Sequence, residues 1–120
     1  MAFTGVASNL IASQNCVANT TGTQASALTS SQSQILQTSQ AVQITTTGAS
    51  QSTVLPPSTP GLQIDVYNIT TGNATLVFPY PGDTINLLAL NASITMNAST
   101  STTFCCLVQG QWWTNPRVPS

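Results

Sequence analysis

The stretch GLQIDVYNITTGNATLVFPYPGDTINLLALNASITMNASTSTTFCCLVQGQWWT, residues 61–114, holds nearly all of the strand-forming pattern in this chain of 120 residues. Both tryptophans, both tyrosines and the only two acidic residues also lie in it. The residues before it are rich in Ser, Thr and Gln and contain only scattered apolar side chains. We therefore expect one all-β unit centred on this stretch.

Alternation of apolar and polar residues predicts the strands and their faces. Ile64 and Val66 define one face of a strand, and Asp65 and Tyr67 define the other. Turn residues recur every eight to twelve positions, which is roughly the spacing in an all-β sandwich or barrel. The sequence shows no alternation of strand and helix patterns, so an α/β fold is not expected. The sequence predicts a small antiparallel sandwich or barrel-like module, of which a jelly roll is one form.

The individual strand predictions follow the same pattern. Strands are expected at residues 33–38, 41–47, 53–55, 62–68, 74–78, 91–96, 102–108 and 111–114. The turn residues at 71–73 predict that the strands on either side form a hairpin. Pro79 and Pro81 exclude a central strand where they stand, because proline has no backbone N–H to donate.

The composition divides the chain into four expected parts. Residues 1–23 form an extended N-terminal arm, residues 24–60 form short strands and a Pro-rich connection, residues 61–114 form the β-module core, and residues 115–120 form a C-terminal tail. The apolar residues of the arm are Phe3, Val6, Leu10 and Ile11, which we expect to fill pockets on a partner. A disordered terminus is the alternative for this segment.

Charge is the feature that excludes most partner classes. Arg117 is the only basic residue, and only 2% of the chain is charged, against about 25% in an average protein. Nucleic-acid binding and binding to an anionic membrane both need several Lys or Arg residues, so neither partner is expected. A net charge of −1 gives little repulsion between copies, so we expect the surface to pack against other copies or another protein.

The residues for catalysis or metal binding are mostly missing from the sequence. There is no histidine and no lysine, so a Ser-His-Asp or Cys-His arrangement cannot form within one chain. Asp65 and Asp83 are the only acids that could act as a catalytic carboxylate pair. The sequence around them favours structural roles, because Asp83 stands where its side chain would cap a turn and Asp65 lies on the polar face of a strand. Cys105 and Cys106 lack metal-ligand spacing. We expect free thiols, no cofactor, no metal and no enzyme activity.

The adjacent tryptophans offer the clearest candidate for a surface contact. In a strand, one of Trp112 and Trp113 points into the core and the other points outward. The outer one is expected to pack against a neighbouring subunit or to stack on a sugar ring, and Tyr80 is a further candidate for either role.

Several short motifs resemble a β-module found in virion proteins of tailed bacteriophages. They are Val66–Asn68, Thr71–Asn73, Val77–Pro79, Gly82–Asn86, Asn91–Ile94, Phe104–Cys105 and Trp112–Trp113. The resemblance covers about residues 24–114. The doubled cysteine and the doubled tryptophan depart from the pattern.

The resemblance implies a capsid decoration (cement) protein, made in the host bacterial cytoplasm and located on the capsid surface of the virion. Its expected partners are the major capsid protein and itself, as a homotrimer, with residues 1–23 as the capsid-binding arm. The alternative is a head or tail fibre component that binds host-surface glycans through Trp112 or Trp113 and Tyr80. A secreted adhesin fragment is a third candidate, which the lack of a recognisable signal sequence at the N-terminus disfavours.

Overall fold

The computed structural model describes residues 13–19, 33–46, 48 and 51–115, and throughout these residues the chain is all-β. The described part of the chain has nine strands: β1 Ser13–Val17, β2 Ala41–Thr45, β3 Ser52–Val54, β4 Gln63–Asn68, β5 Thr75–Phe78, β6 Thr84–Ile85, β7 Ile94–Met96, β8 Thr100–Val108 and β9 Gln111–Asn115. This confirms the predicted all-β class. In the same residues there is no helix that is long and apolar enough to cross a membrane.

The strands form two mixed sheets. One has six strands in the order β1-β2-β4-β8-β9-β6, and the other has three in the order β3-β5-β7. The pairs β1–β2, β2–β4, β3–β5 and β6–β9 are parallel, so the expected wholly antiparallel arrangement is wrong. For β2–β4 and β3–β5, the reason is that successive strands from β2 to β5 alternate between the sheets, so that each returns to its own sheet in the same direction.

This alternation follows a repeat of 24 residues. Ala41 lies opposite Asp65 in one sheet, and Ser52 lies opposite Leu76 in the other, so both parallel pairs have the same offset. The sequence Thr-Thr-Gly occurs with that spacing at residues 46–48 and 70–72. The N–H of Thr46 donates to Oγ1 of Thr70 at 2.8 Å, which joins the two copies directly. Strands β2 and β3 are therefore stacked on β4 and β5 as two copies of one unit.

The turn after β4 does not make the predicted hairpin. β5 joins the three-stranded sheet, where it pairs with β3 and β7 instead of β4. Asn68, at the end of β4, is buried, and its Nδ2 donates to the carbonyl oxygens of Asn73, Met96 and Asn97. These bonds hold the chain where it crosses to the second sheet. The strand expected at 33–38 is reduced to one bridge between Gln34 and Val54.

Buried side chains from both sheets form one hydrophobic cluster. Its members are Cys16, Ala18, Ile35, Val42, Ile44, Leu55, Ile64, Val66, Val77, Ile85, Ile94, Met96, Phe104, Cys106 and Trp112. Burying a side chain of the size of Val, Leu or Phe contributes about 1.5–3 kcal/mol, so this cluster is the main source of stability. Along β4 the predicted faces are confirmed, since Ile64 and Val66 are buried and Tyr67 is exposed.

Part of the predicted N-terminal arm belongs to this fold. Residues 13–17 of the expected arm form β1, which pairs with β2, and Cys16 and Ala18 are buried in the core. The four residues predicted to bind a partner, Phe3, Val6, Leu10 and Ile11, lie outside the described residues. So do residues 116–120 of the expected tail.

Candidate functional site

Tyr67 stands near the middle of the sheet face that points away from the core, which we call the outer face of the six-stranded sheet. Its side chain is 46% exposed. It lies in register with Gln43 on β2 and Ser101 on β8, so an amide and a hydroxyl flank the aromatic ring. The local cause is the alternation in β4, which buries Ile64 and Val66 and turns Tyr67 to the other side.

Three shallow grooves meet at Tyr67. One of about 210 Å³ lies toward β1 and β2, and one of about 130 Å³ lies toward Asp65 and Asn115. The third, of about 280 Å³, lies at the end of β4, beside Ile69 and Ser99. The ring of Tyr67 is thus bordered by open space on several sides and can be reached by a ligand.

Asp65 shares the outer face with Tyr67, two residues away on the same strand. Its Oδ1 accepts a hydrogen bond from the Thr103 hydroxyl at 2.7 Å, which fixes the direction of the half-buried carboxylate. Asp83 is buried instead, and its Oδ2 accepts the N–H of Ser58 at 3.1 Å. The two acids therefore have separate partners and separate surroundings, with Asp83 in a structural position and Asp65 on a surface.

A second candidate surface is the leucine loop, residues 86–91, which follows the edge strand β6. Leu87 and Leu90 are each 63% exposed. Asn86 and Leu87 have φ values of 54° and 61°, and the N–H of Leu88 donates to the carbonyl of Ile85, as in a type I′ turn. A leucine in this left-handed conformation costs about 1–2 kcal/mol. The exposed position of the Leu87 side chain therefore comes at a cost in folding stability.

Hydrogen bonds at both ends hold the leucine loop in place. At its start, Nδ2 of Asn86 donates to Oγ1 of Thr114 at 2.8 Å, and the N–H of Thr114 donates back to Oδ1 of Asn86 at 2.9 Å. At its end, the N–H of Asn91 donates to the carbonyl of Asp83, and Oδ1 of Asn91 accepts the N–H of Gly82. These anchors fix how the leucines are presented.

Further exposed apolar residues lie at the turn between β8 and β9. Leu107 and Val108 are largely exposed where the pairing of the two strands shifts by a bulge. In this turn, the carbonyl oxygen of Gly110 accepts a hydrogen bond from the N–H of Thr84 at 2.9 Å. This bond connects the turn to the start of β6. Gln109 and Gly110 form the turn itself.

The aromatic residues predicted as contacts separate into core and surface. Trp112 is completely buried, so it cannot meet a subunit or a sugar, and its predicted role is corrected to a core residue. Trp113 is half-buried on the outer face, and Tyr80 is half-buried in the loop after β5. The sequence interpretation missed Tyr67, although its position on the polar side of β4 was the pattern that could have identified it.

The three cysteines, Cys16, Cys105 and Cys106, are free thiols. Burial raises the pKa of Cys16 and of Cys106, and for Cys106 the nearby charge of Asp83 adds to the rise. Both thiols therefore stay neutral near pH 7, and the neutral thiol is the poor nucleophile. No group of three metal-ligating side chains comes together within the described ranges.

Comparison with known proteins adds no relative, since no protein-family model, curated protein or solved structure matches this chain. The two surfaces described above are therefore the basis for a functional proposal. One is the polar outer face around Tyr67, and the other is the apolar leucine loop with the adjacent β8–β9 turn.

Proposed function

We propose that this chain is a non-catalytic structural protein of a tailed-phage virion, a decoration (cement) protein that binds the outside of the capsid as an oligomer, with a trimer as the expected form. The observation that carries the proposal is the leucine loop. Exposed apolar surface that is held in place marks contacts between proteins. We also propose that the two sheets pack face to face as a sandwich, because both contribute to one core.

The chemistry of the surface supports a contact made mainly of apolar and amide groups. With one basic and two acidic residues in the chain, ion pairs contribute little to any interface. The centre of a stable interface is usually depleted of charge and rich in apolar side chains, and the leucine loop has this composition. In an oligomer, each copy presents one loop, so that modest contacts add through multivalency.

The test compares two sets of substitutions in the full chain. Replacing both Leu87→Asn and Leu90→Asn removes the apolar side chains, while asparagine tolerates the left-handed backbone at position 87. The matched control is Leu36→Asn, which removes an exposed leucine from the segment before β2. Light scattering after size-exclusion chromatography gives the oligomer mass. Co-sedimentation with undecorated heads of the phage whose genome carries this sequence gives capsid binding.

We expect the double variant to weaken oligomer formation or head binding at least about tenfold, since two leucines leave the contact. The Leu36→Asn control should behave like the original chain. A chain that stays monomeric at high concentration and does not bind heads would contradict the proposal. Unchanged assembly of the double variant would show that the leucine loop is not the contact.

A further inference from the structure

We propose that Tyr67, together with Asp65, Thr103 and Asn115, forms a binding site for a neutral saccharide on the outer face of the six-stranded sheet. This goes beyond a role in capsid assembly, and it concerns a different surface from the leucine loop. The site is built by strands β4, β8 and β9, which lie side by side in the sheet.

The aromatic ring supplies the first requirement of such a site. A sugar ring has an apolar face of C–H groups that stacks on an aromatic ring, and its hydroxyls need hydrogen-bonding groups at the edges. Tyr67 is exposed, and three grooves meet at its ring. A sugar ring therefore has room to stack on Tyr67, and the hydroxyl substituents of the sugar have room in the adjoining grooves.

The polar groups beside the ring supply the second requirement. Asp65 on β4, Thr103 on β8 and Asn115 on β9 lie in one register row across the sheet. The bond from Thr103 orients the carboxylate of Asp65, and a carboxylate can accept about four hydrogen bonds in all. The neighbouring row, which contains Tyr67 itself, carries the amides of Gln43 and Asn15 on one side and the hydroxyl of Ser101 on the other. Such groups pair with sugar hydroxyls.

Charge favours a neutral saccharide over other ligands. Asp83 is buried, so Asp65 is the acid available on a described surface. It would repel a phosphate or an acidic sugar, and the chain has a single basic residue, Arg117, to offset it. A protein partner would gain more from the leucine loop, because the neighbours of Tyr67 in the sheet are mostly hydroxyls and amides.

The same face carries a second aromatic side chain. Cys105 pairs with both Gln63 and Trp113, so Trp113 points to the same side as Tyr67. Counting strands and residues in this register places the two aromatic residues roughly 16 Å apart. This is the span of a short oligosaccharide, so we expect an oligosaccharide to bind more tightly than the corresponding monosaccharide.

The experiment uses the full chain on a printed array of neutral and acidic oligosaccharides. The neutral oligosaccharide with the strongest signal is then titrated by calorimetry. Tyr67→Ala should weaken binding about tenfold or more, and Tyr67→Phe should stay within about threefold, because the stacking ring remains. Asp65→Asn should weaken binding by an intermediate factor. The matched control is Thr95→Ala, an exposed strand residue on the other sheet.

Circular dichroism and thermal unfolding establish that each variant is folded. The proposal is overturned if the original chain binds no neutral oligosaccharide on the array. It is also overturned if a folded Tyr67→Ala variant binds as tightly as the original. The variant with Leu87→Asn and Leu90→Asn should keep its saccharide binding, so failure of the assembly proposal and failure of this one are separate results.

Discussion

Asn68 shows how one buried polar residue directs the path of the chain. It is 1% exposed, its Nδ2 donates to three carbonyl oxygens, and its Oδ1 accepts the N–H of Thr70 at 3.1 Å. The carbonyls belong to the turn after β4 and to the end of β7. The side chain therefore replaces the backbone partners that these groups lose where the chain changes sheets.

We predict that Asn68→Ala lowers the free energy of unfolding by about 2–3 kcal/mol, because the buried carbonyl of Met96 and two partly buried carbonyls lose this amide donor. Urea denaturation measures the change. The control Asn97→Ala alters an exposed asparagine in the same region and should change stability by less than about 0.5 kcal/mol. Equal stability of the two variants would show that the Asn68 bonds do not matter.

The buried thiols give a prediction for alkaline pH. Since burial raises the pKa of Cys16 and Cys106 above the ordinary thiol value of 9.0, the unfolded chain loses these protons at a lower pH than the folded chain. The folded state then holds more protons, and the free energy of unfolding falls as pH rises past about 9. Urea denaturation from neutral pH to about pH 9.5 tests this.

The control for this effect removes the thiols. A variant with Cys16→Ala and Cys106→Ala should lose less stability over the same pH range, although it starts from a lower value because core volume is lost. Cys105→Ala, at a half-buried position, keeps both buried thiols and should retain most of the pH dependence of the original chain, because burial is the largest cause of the raised pKa of Cys106. The same pH slope in the double variant and the original chain would argue against the thiols as its cause.

Local alternation explains which strands the sequence interpretation placed correctly, and the stacked copies show what it missed. β4, β8 and β9 follow from alternation within a few residues, and they lie close to their predicted positions. β1 was not predicted, because one buried cysteine among polar residues gives no clear alternation. The two copies of Thr-Thr-Gly were visible in the sequence, yet only the equal offset of the two parallel pairs shows what they mean.

The position of β1 changes how the N-terminal arm should be tested. Deleting residues 1–19 removes β1 with the buried Cys16 and Ala18, and it exposes the edge of β2. We predict a loss of at least about 2 kcal/mol in the free energy of unfolding. Deleting residues 1–12 keeps β1 and should leave stability nearly unchanged, while it weakens the head binding that we propose for Phe3, Val6, Leu10 and Ile11.

Chemical denaturation and co-sedimentation with undecorated heads distinguish the two effects. If the chain lacking residues 1–12 coats heads as well as the intact chain, the proposed role of the arm is wrong. If the chain lacking residues 1–19 is as stable as the intact chain, then β1 contributes little to the fold.

At the scale of the whole molecule, the surface is solvated by hydroxyls and amides and carries almost no charge. Polar side chains are also placed inside, where Asn68, Asp83 and Asn86 each hold a turn or a loop through hydrogen bonds. The apolar groups that remain exposed are concentrated at the leucine loop and the β8–β9 turn, with a few elsewhere. Association should therefore depend on apolar burial more than on ion pairs.

This gives a prediction for salt. Because screening acts on charges, raising NaCl from about 0.05 M to about 0.5 M should change the dissociation constant of the proposed oligomer by less than about threefold. Ammonium sulfate should strengthen association, since it favours burial of apolar surface. Sedimentation velocity at several protein concentrations measures both. A steep loss of association in NaCl would point to a contact held by the few charged residues.

By itself the sequence determined the all-β class, most strand positions and the faces of β4, and it showed that one of the two adjacent tryptophans is buried but not which one. These properties depend on the alternation of side chains between the two faces of a strand, which occurs over a few residues and does not depend on which strand it pairs with. Only the tertiary structure decided the strand pairing, the site around Tyr67 and the strained leucine loop. Pairing joins residues far apart in sequence, and it depends on where buried groups such as Asn68 find their hydrogen bonds. A surface site exists only once that pairing has placed β4, β8 and β9 side by side.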